Sequence, residues 1–344
     1  QQAEQTASKA AAAVQAVTVG EVWTVYLEAR KPHWGARHHA DHAKLSTAGG
    51  EPFKRGKGIT QPGPLSSLMA LPLRDLTAPV VEAWATREGK TRPTSARLAW
   101  RCLKAFLAWC AEQEEYAPAM SGANPAKTKK AREALGKAGI KQDALMREQL
   151  PAWFAAVRQL GNPTIAAYLQ TLLLTGARPG EILALRWDDI NTQWRGLTIR
   201  DKVEGERVIP LTPYVSQLLH ALPRRSEWVF ASNQRGGENK GGVIARPSTA
   251  LTSIAAVVGI ELLTLHGLRR SFKSLTEWLE IPAGVVAQLM GHKPSATAEK
   301  HYTVRPLDLL RVHHEKIEAW ILKQAGIVFD AKAEPGKLRV VAGG

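Results

Sequence analysis

The stretch "MGHKPSATAEKHYT", residues 290–303, places Tyr302 ten residues after His292, among polar and basic side chains. A buried tyrosine ordinarily fills apolar space and gives its hydroxyl one partner. Little apolar sequence surrounds Tyr302, so its phenol can serve as a reagent. Tyr26 and Tyr168, in helical apolar runs, read as packing. Arg178 stands in "TGARPGEIL", where Gly176 stops one helix and Pro179 opens the next. Such a junction exposes backbone N–H groups, and an arginine there offers a two-pronged fork to a phosphate. Pairing with Glu181, three residues on, is the competing reading. His266 and Arg269 form "HGLR", and a spacing of three sets both on one helix face. His292 follows Gly291 at a helix end. Lys202 lies near the tip of an expected hairpin, where it can reach a ligand or stay solvated.

Other chemistries find less support. "HWGARHHADHAK" brings His38, His39 and His42 together, but no HExxH pattern follows and no cysteine is near. A solvated or phosphate-facing cluster is expected there, and no metal. The chain has no GxxxxGK[ST] cradle for a nucleotide. Cys102 and Cys110 are eight apart on one expected helix, about 12 Å along its axis, too far to pair with each other. Reduced thiols and a cytoplasmic location follow. No cofactor is expected.

Lys and Arg number 46 against 31 acids, giving a net charge of +15. That balance favours a polyanion, either nucleic acid or an acidic membrane surface. No apolar run reaches spanning length, and no signal peptide, lipidation signal or basic membrane helix stands out. Nucleic acid is the expected partner.

These groups need a scaffold, and 344 residues suffice for two domains. The Ala- and Gln-rich residues 1–16 read as a tail or linker remnant. Residues 17–122 read as all-helical. In "RPTSARLAWRCLKAFLAWCAEQ" the residues Leu98, Cys102, Phe106 and Cys110 mark one face, while Arg97, Arg101 and Lys104 supply cations elsewhere. Residues 123–145 read as a basic linker, with six basic residues and one acid from Lys127 to Lys141. Its Lys127, Lys129 and Lys130 are either solvated or lie along phosphates. Residues 146–325 form a second domain, and 326–344 a tail. Within that domain "GLTIRDKVEGERVIPL" alternates about Glu204 and Gly205, a hairpin signal. "EWVFAS" reads as a short strand, and the remainder as helices. The fold class expected is mainly α with a small β-hairpin sheet (α+β).

Taken together, these residues resemble the tyrosine recombinase, or phage integrase, family. "TGARPGEILALRWDDI" is similar to its first box, with Arg178 as the arginine. "LHGLRRSF" is similar to the second, with His266 and Arg269. "LMGHKPSATAEKHYT" is similar to the closing segment, with His292 and the nucleophile Tyr302. "TIRDKVEGERVIPL" matches the hairpin between them, with Lys202 as its lysine and Lys240 as an alternative. Order and separations agree from about residue 145 to 323. The helical first domain fits the family's core-binding domain in type and position, and its basic, His-rich residues 31–63 have no clear counterpart.

The resemblance implies a C-shaped DNA clamp and a metal- and ATP-independent strand transfer. A phosphodiester's negative charge repels nucleophiles, and Arg178 with Arg269 can stabilise the pentacoordinate transition state. Phenol has a pKa near 10 in model peptides, so nearby cations and His266 as proton acceptor are needed to activate Tyr302. Lys202 is the expected general acid for the 5′-hydroxyl leaving group, and His292 a hydrogen-bond partner of the phosphate. Glu181 orients Arg178 or nearby backbone. The 3′-phosphotyrosine bond conserves the energy needed for rejoining. Arg270, beside Arg269, joins the cations of the first domain and linker as a candidate DNA contact. The family acts as a homotetramer on two duplexes and resolves a Holliday junction. By the resemblance, the helix after Tyr302, with Leu310, Ile317 and Trp320, docks on a neighbouring protomer, with packing inside its own domain as the alternative.

Within the family, an integrase of a phage or integrative element is favoured over a chromosome-dimer resolvase or a transposase. The opening without Met suggests a lost N-terminal arm-binding domain. Accessory DNA-bending and excisionase proteins belong to that reading. A type IB topoisomerase and a non-catalytic DNA-binding protein are the rivals outside it.

Overall fold

The computed structural model describes residues 17–53, 56–120, 122–201, 205–233, 241–245, 247–257, 259, 263–292 and 305–330. Lys202, Lys240 and Tyr302, and the segments 1–16 and 331–344, lie outside the described residues. The chain divides into two compact units between Ile140 and Lys141.

In the first unit, α1 (Val19–Arg30) starts at Thr18. The Thr18 hydroxyl accepts the Glu21 N–H at 3.2 Å, and the Glu21 carboxylate accepts the Thr18 N–H at 2.8 Å. This reciprocal cap satisfies two donors that a helix start leaves open. After α2 (Ala36–Ser46) come α3 (Ala78–Thr91) and α4 (Pro93–Glu112), each with proline in its first turn. Trp23, Tyr26, Trp84, Leu103, Phe106 and Leu107 fill the core between them. Cys102 and Cys110 are buried and unpaired. Leu98 is 38% exposed; the buried face of α4 runs instead through Ala99, Cys102, Leu103 and Phe106.

Two expectations for this unit change. The basic run beyond residue 123 is not a free link through to 145. It contains α5 (Lys129–Leu135), capped by the Thr128 hydroxyl on the Ala131 N–H. Ala131 and Leu135, four apart, are buried in the first unit's core while the cations stay outside. The Trp100 indole N–H fixes the preceding turn by donating to the Ala126 carbonyl at 2.7 Å. The His-rich segment is likewise not simply solvated. The His42 ring is buried, 4.2 Å from Trp34 and 4.4 Å from His38, centroid to centroid. Among the described residues no group of three or more His, Cys, Asp or Glu is arranged to hold a metal.

The second unit is built around α7 (Pro163–Thr175), buried along almost its whole length. A helix apolar on nearly every side belongs in the middle of a domain. Around it lie α6 (Leu150–Arg158), α8 (Pro179–Leu183), α9 (Pro213–His220), α10 (Pro247–Val257), α11 (Leu265–Thr276), α12 (Ala283–Met290) and α13 (Leu307–Gln324). Strands β1 (Ile190–Asn191), β2 (Gly196–Asp201) and β3 (Gly205–Pro210) form an antiparallel sheet in that order. The expected hairpin is β2–β3, with Ile199 opposite Arg207. "EWVFAS" is not a strand; Trp228 and Ala231 make only isolated bridges, to Arg186 and Val243.

Helix α13 packs within its own unit, with Leu310, Ile317, Ile321 and Leu322 buried and Trp320 against the same core. In the single chain it takes the alternative to docking on a neighbour, packing on its own unit's core. Its Glu318 closes the start of α9, accepting the Tyr214 N–H at 2.8 Å and the Val215 N–H at 3.2 Å. No helix among the described residues is long and apolar enough to cross a membrane.

Candidate active site

Helix α7 ends at Gly176, whose φ of +61° is left-handed. A Cβ there would meet the Phe272 ring at 2.4 Å, so glycine is needed for both backbone and space. Arg178 follows as the extended N-cap of α8. Its backbone N–H donates to Glu181 at 2.9 Å and its Nη1 to the same carboxylate at 2.6 Å. Its Nη2 reaches the Gly291 carbonyl at 3.0 Å. Arg178 therefore pairs with Glu181 and stands at a helix junction, with its side chain 41% exposed.

Helix α11 carries the next pair. Arg269 is buried, and its Nη1 donates to the Gly176 and Met290 carbonyls, both at 2.7 Å. His266, three residues earlier, is exposed. The helix start is fastened by Asp143, which accepts the Thr264 hydroxyl at 2.6 Å, the Thr264 N–H at 3.2 Å and the Arg270 Nε–H at 2.8 Å. One turn on, the Ser271 hydroxyl accepts the Leu145 N–H at 2.8 Å.

Helix α12 delivers His292. Gly291, with φ +70°, ends the helix, and the His292 N–H returns to the Ala287 carbonyl at 2.8 Å. His292 is exposed as a residue, with its imidazole partly covered. The carbonyls of Met290 and Gly291 sit at the helix's negative end, where cations are favoured. Arg178, Arg207 and Arg269 all donate to these two oxygens. Three sequence-distant arginines thus converge beside His292.

Residues 18–133 match the phage integrase core-binding domain, and residues 144–306 the phage integrase family. The prophage integrase IntF of Escherichia coli K12 is 47% identical over 327 residues, 90% of this chain and 69% of that protein. The chain belongs to the phage integrase family of tyrosine recombinases. The family performs DNA strand cleavage and transfer. A tyrosine recombinase XerC from Mycobacterium sp. strain KMS is 30% identical, covering 71% of this chain and 83% of its own. In fold, the recombinase resembles a lambda integrase dimer bound to a core site, with a TM-score of 0.59, 16% identity, and coverage of 84% of this chain and 99% of that one. The Tn1549 transposon integrase with circular-intermediate DNA gives 0.60 at 13% identity, covering 86% of this chain and 98% of that one.

Electrostatics in the recombinase follow from these contacts. Burial alone would raise the Glu181 carboxyl. Hydrogen bonds from Arg207 and then Arg178 outweigh it and hold the group below the usual carboxylate value. His292 is lowered by burial and then by Arg269 and Arg178. His266 is lowered by burial and then by Arg270 and Arg269, against an opposing pull from Asp143. The downward direction of both favours the neutral imidazole, which can accept a proton.

Sequence reasoning about the recombinase missed Arg207 and Asp143, whose partners lie far along the chain. Alternation in β3 marks Arg207 as a strand residue but not which face of the site it meets. The candidate DNA cations divide. Arg270 donates to Asp143 through Nε at 2.8 Å, with a second short contact from its Nη2, and stays 38% exposed. Arg97 donates to the Leu135 carbonyl at 3.1 Å, tying α4 to α5. Lys129 lies 3.6 Å from Glu133 and Lys130 3.3 Å from Glu82. Lys104 sits 3.6 Å from the Trp100 ring centroid. Its pKa is lowered by burial and then by Arg101, Lys127 and Arg132, so these four cations share one neighbourhood.

Proposed function

We propose that the chain is a site-specific DNA recombinase of the integrase type, cutting and rejoining double-stranded attachment sites through a 3′-phosphotyrosine link. The observation carrying this reading is the convergence of Arg178 and Arg269 on the Met290–Gly291 turn, directly before His292. Two guanidinium groups on one rigid turn suit the nonbridging oxygens of a phosphodiester, which gain charge in the transition state. The turn leads into the segment that holds Tyr302, the proposed nucleophile. His266 accepts the phenol proton, His292 donates to the phosphate, and Lys202 on the hairpin protonates the 5′-oxygen as it leaves. Glu181 holds Arg178 in place. No step calls for a metal or nucleotide, because side-chain cations supply the charge.

The cluster of Arg101, Lys104, Lys127 and Arg132 supports a phosphate-facing role for the first unit, since gathered like charges are relieved by a polyanion. One structural neighbour is a lambda integrase tetramer on a Holliday junction, and a homotetramer on two duplexes is the assembly proposed here, in the cytoplasm. The stronger likeness to a prophage integrase than to XerC supports a mobile-element role, with DNA-bending and excisionase partners. The test is covalent capture from a library of nicked suicide duplexes with a randomised core. The expected result is a protein–DNA adduct enriched for one sequence. Absence of any adduct overturns the reading, and relaxation of plasmids lacking the captured sequence points to a topoisomerase instead.

A further inference from the structure

Glu181 is a buried carboxylate serving two arginines. Arg178 reaches it from three residues away at 2.6 Å. Arg207 reaches it from β3, with Nη1 at 3.2 Å from Oε1 and Nη2 at 2.8 Å from Oε2. This is the fork geometry in which arginine holds a carboxylate most firmly. The Arg207 side chain is only 17% exposed, and its Nη2 also lies 3.4 Å from the Met290 carbonyl. Gly291 makes room for it: a Cβ at that position would lie 2.6 Å from the guanidinium carbon. Arg207 thus joins the sheet, the start of α8 and the end of α12.

The charges explain why a second arginine is useful. Arg178 and Glu181 alone form a neutral pair, and the carboxylate competes with any phosphate for the Arg178 guanidinium. With Arg207 the three groups sum to +1. A carboxylate has acceptor sites enough for both forks, so Arg207 occupies Glu181 without displacing Arg178. Partial burial weakens screening by salt and makes the balance count for more.

We infer that Arg207 is a positioning residue for strand transfer: it grips Glu181, offsets that carboxylate's charge, and so preserves positive potential where Arg178 meets the scissile phosphate. The inference rests on the recombinase reading, and the two are separable in one experiment. Adduct formation is timed on the captured nicked duplex, with the scissile group either a phosphodiester or a methylphosphonate. The methylphosphonate carries no negative charge on its nonbridging oxygen and depends less on cations. An adduct from the parent protein on the diester upholds the recombinase reading by itself; no adduct removes both.

With an active parent, Arg207→Met slows the diester reaction by about 100-fold and the methylphosphonate reaction by less than about tenfold. A parent-like rate on the diester, or equal losses on both substrates, overturns the inference. A purely structural loss would slow both alike. Should Arg207→Met fail to fold, as judged by its thermal transition, Arg207→Gln takes its place and is read as the ratio of diester to methylphosphonate rates. A ratio at least about tenfold below the parent's is expected, and a smaller change in the ratio would overturn the inference.

Discussion

The Nη1 of Arg269 donates to the Met290 carbonyl at 2.7 Å. Because Gly291 and His292 follow at once, this bond fixes both the arginine and the turn that presents the histidine. The same nitrogen holds the Gly176 carbonyl at 2.7 Å, two residues before Arg178. One buried guanidinium therefore registers three parts of the site against one another.

Arg269→Lys keeps a positive charge but loses the planar fork. Adduct formation on the captured duplex is expected to fall by about 100- to 1000-fold. Arg269→Ala also leaves two buried carbonyls without this donor and lowers stability by about 1–3 kcal/mol. Urea unfolding checks the second effect. Unchanged activity in the lysine variant would contradict the role given to the fork.

Asp143 joins the first residues of the second unit to the helix bearing His266 and Arg269. Asp143→Asn is expected to cost about 1–2 kcal/mol, less than a fully buried ion pair because Arg270 remains 38% exposed. Arg270→Gln should cost a similar amount. The double variant should cost clearly less than the sum, since both act through one contact. Additive losses in urea unfolding would show that Arg270 does not work through Asp143.

Much of this was legible in the sequence, for physical reasons. Arg178 lies between a glycine stop and a proline start, His266 and Arg269 share a helix face, and His292 follows a left-handed glycine. Such signals are local, and local geometry carries them. The corrections share the opposite cause. In α5, two apolar residues, Ala131 and Leu135, outweigh five surrounding cations once a neighbouring helix accepts them. Arg207 meets Glu181 from 26 residues away, and Asp143 meets Arg270 from 127 away. Nothing local announces such a partner. The same holds for α13, whose amphipathic pattern suits a neighbour's surface as well as its own core.

His314 on α13 is fully buried, with Nε2 2.9 Å from the Leu174 carbonyl. Burial pushes its pKa down from 6.5 to about 4. Between those values the unfolded chain binds the proton and the folded chain does not, so stability rises with pH across the window. The contribution is complete above pH 6.5 and is lost as pH falls towards 4. His314→Gln should flatten the decline by up to about 1.4 kcal/mol per pH unit relative to the parent. Urea unfolding at several pH values from 7 down to about 4.5 measures it. Parallel curves for parent and variant would contradict the assignment. The opposing group, Glu318, is raised by burial, and it cancels in the comparison.

The phenol of Tyr302 is the proposed nucleophile. That role is tested most directly by digesting the covalent adduct and locating the DNA-bearing peptide by mass spectrometry. The expected product is a 3′-phosphate joined to the oxygen of Tyr302, with a free 5′-hydroxyl on the other strand end, and Tyr302→Phe is expected to give no adduct. An adduct on any other residue, or one that persists in Tyr302→Phe, would contradict it.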